Sequence, residues 1–171
     1  NEQMIQLNAL VPYELSKYSI QKNVKKIINI SSASAISYHK DLIDYCLSKN
    51  ILESMTKHLA YQYYDQCIIN CIRLDTAFQT EMSHSLYSEE EYKQFEEVKN
   101  VIPLFLMILK MGKESSGKIY SYLRSKENLF LESKLNNNYV CTNNTQFLDT
   151  DSYKGKYISN GVNKFSGDDG D

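Results

Sequence analysis

The sequence predicts an α/β domain of three layers, with helices packed on both faces of a parallel sheet. Apolar residues recur at helical spacing before residue 21 and again between residues 40 and 62. Apolar, β-rich runs alternate with those helices, first Ile27-Ile28-Asn29-Ile30 and later Cys67-Ile68-Ile69-Asn70-Cys71-Ile72. Strands separated by helices of such length require parallel pairing through right-handed crossovers.

Taken in order, Met4, Ile5, Leu7, Leu10, Val11, Leu15 and Tyr18 predict a helix over residues 2–20, with Pro12 its one irregularity. Lys22, Lys25 and Lys26 read as a solvated turn before a strand. That strand, Lys25 to Ser31, carries three isoleucines in four positions, the pattern of a strand buried on both faces. Ile43, Leu47, Ile51, Met55 and Leu59 then form one stripe of a helix over residues 40–62. Cys67 to Leu74 is the second strand. Ser88-Glu89-Glu90-Glu91 is a capping box that should start a polar helix of about two turns. Lys99 to Lys110 reads as an apolar helix that tolerates Pro103 in its first turn, with Gly112 as its stop. Lys118 to Tyr122 resembles a third short strand. Residues 1–126 therefore form the folded unit, and residues 127–171, rich in Asn and ending Gly167-Asp168-Asp169-Gly170-Asp171, read as a flexible, low-complexity tail.

Composition narrows the function. A chain of 171 residues with 42% hydrophobic and 23% charged residues can bury a core as one soluble domain. Its net charge of −2 gives no electrostatic footprint for nucleic acid. The longest apolar run, Val101 to Leu109, falls far short of the ~20 residues of a membrane span. Cys46, Cys67, Cys71 and Cys141 lack paired spacing, so reduced thiols in an intracellular compartment are expected, the cytoplasm before an organelle. His39, His58 and His84 are scattered, with no zinc-ligand pattern and no metal expected. The chain opens on Asn1 rather than a methionine, and an upstream segment is expected.

The chemistry-bearing feature is Tyr45-x-x-x-Lys49, with Ser32 upstream at the end of the first strand. On a helix, an i, i+4 pair puts phenol and ammonium on one face, where the cation can stabilise a phenolate. A tyrosine that ordinarily titrates near about 10 could then exchange a proton at neutral pH.

The order Asn8, Ile-Ile-Asn-Ile-Ser-Ser, Tyr45-x-x-x-Lys49, Ile69-Asn70-Cys71-Ile72 and Thr80-Glu81-Met82 resembles the C-terminal half of a short-chain dehydrogenase/reductase, over residues 2–122. Ser116-Gly117-Lys118-Ile119 is similar to that family's turn into its last strand. The resemblance implies a partial Rossmann-like fold lacking its N-terminal βαβ half, and NAD or NADP as cofactor. It implies interconversion of a small-molecule carbonyl and a secondary alcohol. Ser32 would polarise the substrate oxygen, Tyr45 would be the proton donor or acceptor, and Lys49 would hold the nicotinamide ribose and lower the phenol's pKa. Asn8 would complete a proton relay through water, Thr80 would touch the nicotinamide carboxamide, and Tyr45 and Lys49 together would face the cofactor. A homo-oligomer through helices 2–20 and 40–62 is also implied.

Two features depart from the family. Leu74-Asp75 stands where Pro-Gly is usual, and none of the six glycines forms the phosphate-binding turn. The alternative reading is a catalytically degenerate structural or assembly subunit without cofactor binding. Absence of the N-terminal half would also leave the first strand with an unpaired edge.

Overall fold

The computed structural model describes residues 2–126, so the tail expected over residues 127–171 lies outside the described residues. The first helix begins as α1 (Glu2–Ile5), widens to a π turn (Gln6–Leu10) and continues as α2 (Val11–Gln21). Pro12 explains the widening. Proline has no N–H and its ring crowds the preceding turn, and one inserted residue in the hydrogen-bond ladder accommodates both defects without breaking the helix. The Val11 N–H accordingly bonds to the Gln6 carbonyl, one residue further back than in an α-helix.

Strand β1 (Lys26–Ser32) pairs in parallel with β2 (Ile68–Leu74), from Lys26 opposite Ile68 to Ser32 opposite Leu74. β5 (Ile119–Ser121) joins the other side of β2, also parallel. The crossover from β1 to β2 is α3 (Ile43–Gln62). From β2 the chain passes through β3 (Phe78–Gln79), α4 (Glu81–Leu86), α5 (Glu89–Tyr92), β4 (Glu96–Glu97) and α6 (Ile102–Lys110) before reaching β5. β3 and β4 pair as a separate two-stranded ladder that closes the excursion.

Strand alternation divides the core into two. Ile20, Leu52, Met55, Leu59, Cys67 and Ile69 pack between α2, α3 and one face of the sheet, with Ile27 against them. Ile72, Tyr120, Leu104, Met107 and Ile108 pack α6 onto the other face, with Ile28, Ile30 and Leu74. Successive strand residues point to opposite faces, so an apolar run such as Ile27-Ile28 feeds both layers. The three-layer α/β architecture expected from the sequence is present.

Several local expectations need correction. β1 is half-buried along most of its length, whereas β2 is buried throughout its middle. The cause is the sheet order: β2 is central, while β1 lies at the edge of the described sheet. The helical stripe rolls along α3, leaving Ile43 and Leu47 exposed while Met55 and Leu59 are buried. α3 also starts at Ile43, because residues 36–42 form a loop. The capping box at Ser88 and Glu91 forms, yet its helix lasts a single turn. Gly112 is not a left-handed stop: Met111 is the C-cap, and Gly112 is extended at φ −86° and ψ −170°. Gly117 is the glycine with a backbone need, at φ +86° in the turn into β5, where its N–H bonds to the Ile69 carbonyl. Lys26 is no solvated turn residue. Its ammonium donates to the Leu109 and Met111 carbonyls at the C-terminus of α6, where a cation offsets the helix dipole.

Candidate active site

The site assembles where β1 ends and α3 begins. α3 runs antiparallel to β1, as three side-chain contacts establish. Asn29 donates to Thr56 Oγ1 at 2.9 Å, Lys49 Nζ to the Ile30 carbonyl at 3.1 Å, and Asn50 to the Ala35 carbonyl at 3.1 Å. From Lys49 back to Tyr45 is about 6 Å along a helix axis, and from Ile30 on to Ser32 is about 6.6 Å along a strand. Tyr45 therefore stands level with Ser32.

Each predicted residue acquires definite partners. Ser32 is extended, and its Oγ accepts the Ser34 N–H at 3.2 Å as the cap of a 3-10 turn (Ala33–Ala35). A hydroxyl that accepts from the backbone keeps its own proton to donate. Lys49 Nζ lies 5.8 Å from the Tyr45 ring centroid. Burial holds the Lys49 ammonium below its ordinary pKa. An ammonium has three donors, and the Ile30 carbonyl takes one of them. Asn8 sits in the π turn and reaches α3 between the two key residues: its amide donates to Ser48 Oγ at 3.4 Å, and Ser48 donates to the Tyr45 carbonyl at 2.7 Å. Because residue 12 is proline, the Asn8 carbonyl also lacks its usual helical donor four residues on.

Thr80 stands apart from this group. It caps α4, its hydroxyl accepting the Ser83 N–H at 3.1 Å, while Ser83 Oγ donates back to the Phe78 carbonyl at 2.7 Å. It follows β2 on the C-terminal side of the sheet, which is the side carrying Ser32.

Three features escaped the sequence reading. Arg73 of β2 forms a buried fork with Glu53 of α3, Nε to Oε1 at 2.8 Å and Nη2 to Oε2 at 2.5 Å. A lone arginine inside an apolar strand was the available signal, but its partner is twenty residues away in sequence. Asp75, in the departure from Pro-Gly, accepts the Ser121 hydroxyl and the Leu123 N–H at 2.9 Å, tying the end of β2 to the end of β5. A groove of about 840 Å³ opens between residues 34–40 and the outer side of α3, beside Ile43, Cys46, Leu47 and Asn50.

The residues fit one end of a nicotinamide dinucleotide. Lys49 has two donors beyond the one taken by the Ile30 carbonyl, Ser32 ends β1, and Tyr45 lies one turn before Lys49 on α3. The pyrophosphate end finds no cradle among the described residues. Gly112 and Gly117 lie at the opposite end of the sheet, before β5, and Gly117 approaches Ala60 of α3 rather than open space.

No family model and no curated protein sequence matches this chain. Solved structures match strongly. An oxidoreductase from E. coli, yciK, is 20% identical over 69% of this chain and 50% of its own, with a TM-score of 0.61. A short chain dehydrogenase from Salmonella enterica serovar Typhi is 19% identical over 69% and 51%, with a TM-score of 0.60. 4-Hydroxyisoleucine dehydrogenase complexed with NADH is 19% identical over 68% and 55%, with a TM-score of 0.60. The chain has part of the fold of the short-chain dehydrogenases and spans about half the length of the structures it matches. Among the described residues, no helix is long and apolar enough to cross a membrane.

Proposed function

We infer that this chain carries the catalytic half of an NAD(P)-dependent oxidoreductase that interconverts a carbonyl and a secondary alcohol. The supporting observation is the convergence of Ser32, Tyr45, Lys49 and Asn8 on one end of β1, tied together by Lys49 to Ile30 and by Asn8 through Ser48 to the Tyr45 turn. Ser32 donates its free proton to the substrate oxygen, and Tyr45 gives or takes the proton at that oxygen. Lys49 presents its remaining donors to the ribose, and its positive charge favours the ionised phenol. The bound dinucleotide would supply or accept the hydride. Its pyrophosphate would be held by a dinucleotide-binding half, in a longer chain or a second one, that the described residues do not contain. Thr80 is a candidate contact for the carboxamide, since a hydroxyl that accepts the Ser83 N–H keeps its own proton to donate.

The exposed Leu7, Val11, Leu15 and Tyr18 on the first helix, with Ile43 and Leu47 on α3, support a homo-oligomer through residues 2–20 and 40–62. Cys46, Cys67 and Cys71 are free thiols, which supports a reducing intracellular compartment. A second reading, a degenerate subunit kept for assembly, is favoured by Asp75. That carboxylate is committed to Ser121 and Leu123 in the place where the family has Pro-Gly before the nicotinamide.

The decisive experiment follows nicotinamide absorbance in the complete domain against a panel of ketones, aldehydes and secondary alcohols. Tyr45→Phe removes one hydroxyl and should lower turnover by the ~10² to 10⁴ typical of a general acid–base group while leaving dinucleotide affinity nearly intact. Parent turnover that survives Tyr45→Phe unchanged would remove the assigned roles. No turnover and no dinucleotide binding in the complete parent would favour the assembly subunit.

A further inference from the structure

We propose that the buried Glu53–Arg73 ion pair is a positioning device for Lys49, keeping its ammonium seated on the Ile30 carbonyl and balancing the charge around it. The inference rests on Lys49 as the working cation of the proposed oxidoreductase. Its readout does not depend on turnover.

Arg73 and Glu53 are 6% and 7% exposed, and the guanidinium meets the carboxylate through two parallel bonds. Burial works against the charge on Arg73, but bonding and attraction to Glu53 more than offset it and hold the guanidinium above its ordinary pKa. A pair of this kind stabilises a fold no better than apolar side chains of similar volume. Its effect on its neighbours therefore matters more than its packing.

Three placements connect the pair to Lys49. Glu53 follows Lys49 by one helical turn, on the same side of α3, at a spacing where side chains meet. Arg73 stands opposite Ser31 in the β1–β2 register, next to the Ile30 whose carbonyl holds the ammonium. Cys71, two residues before Arg73 on the same face of β2, feels Glu53, Arg73 and Lys49 together.

Few titratable groups lie on this layer. α3 contributes Tyr45 and Glu53 beside Lys49, β2 contributes Cys71 and Arg73 with Asp75 just past its end, and the facing part of β1 contributes Asn29, Ser31 and a carbonyl. From the first helix comes the uncharged Asn8, through Ser48. Burial pushes the Cys71 thiol far up, so it stays neutral and adds no charge. Two carboxylates act on Arg73, Asp75 from a distance and Glu53 through its paired bonds, and of these Glu53 shares a helix with Lys49. Glu53 neutralises Arg73 and pins α3 to β2, while Lys49 ties the same helix to β1. With both ties in place, α3 cannot roll without moving the ammonium.

Opposite consequences follow from cutting the pair at its two ends. Glu53→Gln leaves two cations in one half-buried layer, so Lys49 releases its proton more readily. Arg73→Met leaves the Glu53 carboxylate free to draw Lys49, which holds its proton more tightly and leaves the Ile30 carbonyl. Replacing both, as Glu53→Leu with Arg73→Met, restores neutrality.

The test measures the titration of Lys49 in the full chain without cofactor or substrate, by pH-dependent competitive acetylation read on the Lys49 peptide by mass spectrometry. Glu53→Gln should move the midpoint down, Arg73→Met should move it up, and the double variant should return close to the parent. Circular dichroism checks each fold. If a single variant does not fold, Glu53→Asp or Arg73→Gln replaces it, with a smaller shift of the same sign. Single variants that leave the midpoint still, or move it in one common direction, overturn the proposal. Opposed shifts in a protein whose complete form neither binds dinucleotide nor turns over would keep the positioning role and remove the oxidoreductase reading.

Discussion

The two faces of the sheet are built from the same strands and behave differently. Toward α6 the strands present Ile28, Ile30, Ile72, Leu74 and Tyr120, and the layer is apolar over the length of the helix. Toward α3 the strands begin apolar, with Ile27 and Ile69, and turn polar as they approach their C-terminal ends. Asn29 meets Thr56, Ser31 stands beside Arg73, and Lys49 and Glu53 descend onto them from the helix. Ser31 Oγ is buried there without a hydrogen-bond partner among the described residues. One face thus holds the fold by excluding water, and the other accepts desolvation cost to hold charges at fixed positions. Charge that is kept half-dry at the end of a parallel strand is chemically useful, because opposing dipoles and ions act there with little screening.

The comparison is most easily broken on the charged face. Arg73→Met or Glu53→Gln strands a charge that is under a tenth exposed and should cost about 3–5 kcal/mol in urea unfolding. Replacing both by apolar residues should recover most of that loss, and a double variant as unstable as the singles would contradict it.

On the apolar face the expected damage is slightly smaller and of another kind. Leu104→Ala opens a cavity at a residue 2% exposed and should cost about 2–5 kcal/mol. Its mark is selectivity. Thermal stability falls while the Lys49 midpoint stays put, and a moved midpoint would mean that the two layers are coupled through the sheet.

The smallest effect concerns pH. Lys49 holds its proton less tightly in the folded chain than at the ordinary 10.5, so the unfolded chain binds more protons between the folded pKa and 10.5. Its contribution to stability must therefore rise with pH through that window and carry its full penalty below it. Lys49→Met should be at least as stable as the parent near neutrality, with the difference shrinking as pH climbs toward 10.5. A difference that widens with pH would reverse the sign of the burial effect.

Much of the architecture was legible because local patterns carry it. Helical spacing located the first helix and α3, apolar runs located β1 and β2, and Ser88 with Glu91 marked a cap that forms as written. Tyr45, Lys49 and Ser32 were legible for the same reason, since a helix spacing and a strand end place them. Thr80 is placed by the same reading, and the structure adds its role as a helix cap. A threonine at the start of a helix also satisfies a backbone donor, and its hydroxyl accepts the Ser83 N–H.

The order of the elements, the parallel pairing that their lengths require, and the i, i+4 placement of Tyr45 and Lys49 follow from local patterns in the chain. Each depends on residues within a few turns of one another. Long-range packing is what makes β1 half-buried beside a β2 buried throughout its middle, brings Glu53 to Arg73, lets Asp75 tie the ends of β2 and β5, and carries Asn8 to the Tyr45 turn through Ser48. These depend on which strand becomes central and which side chains of distant segments share a face. Such meetings are set by packing the layers together, when desolvated charges and hydroxyls must find partners wherever the fold brings them.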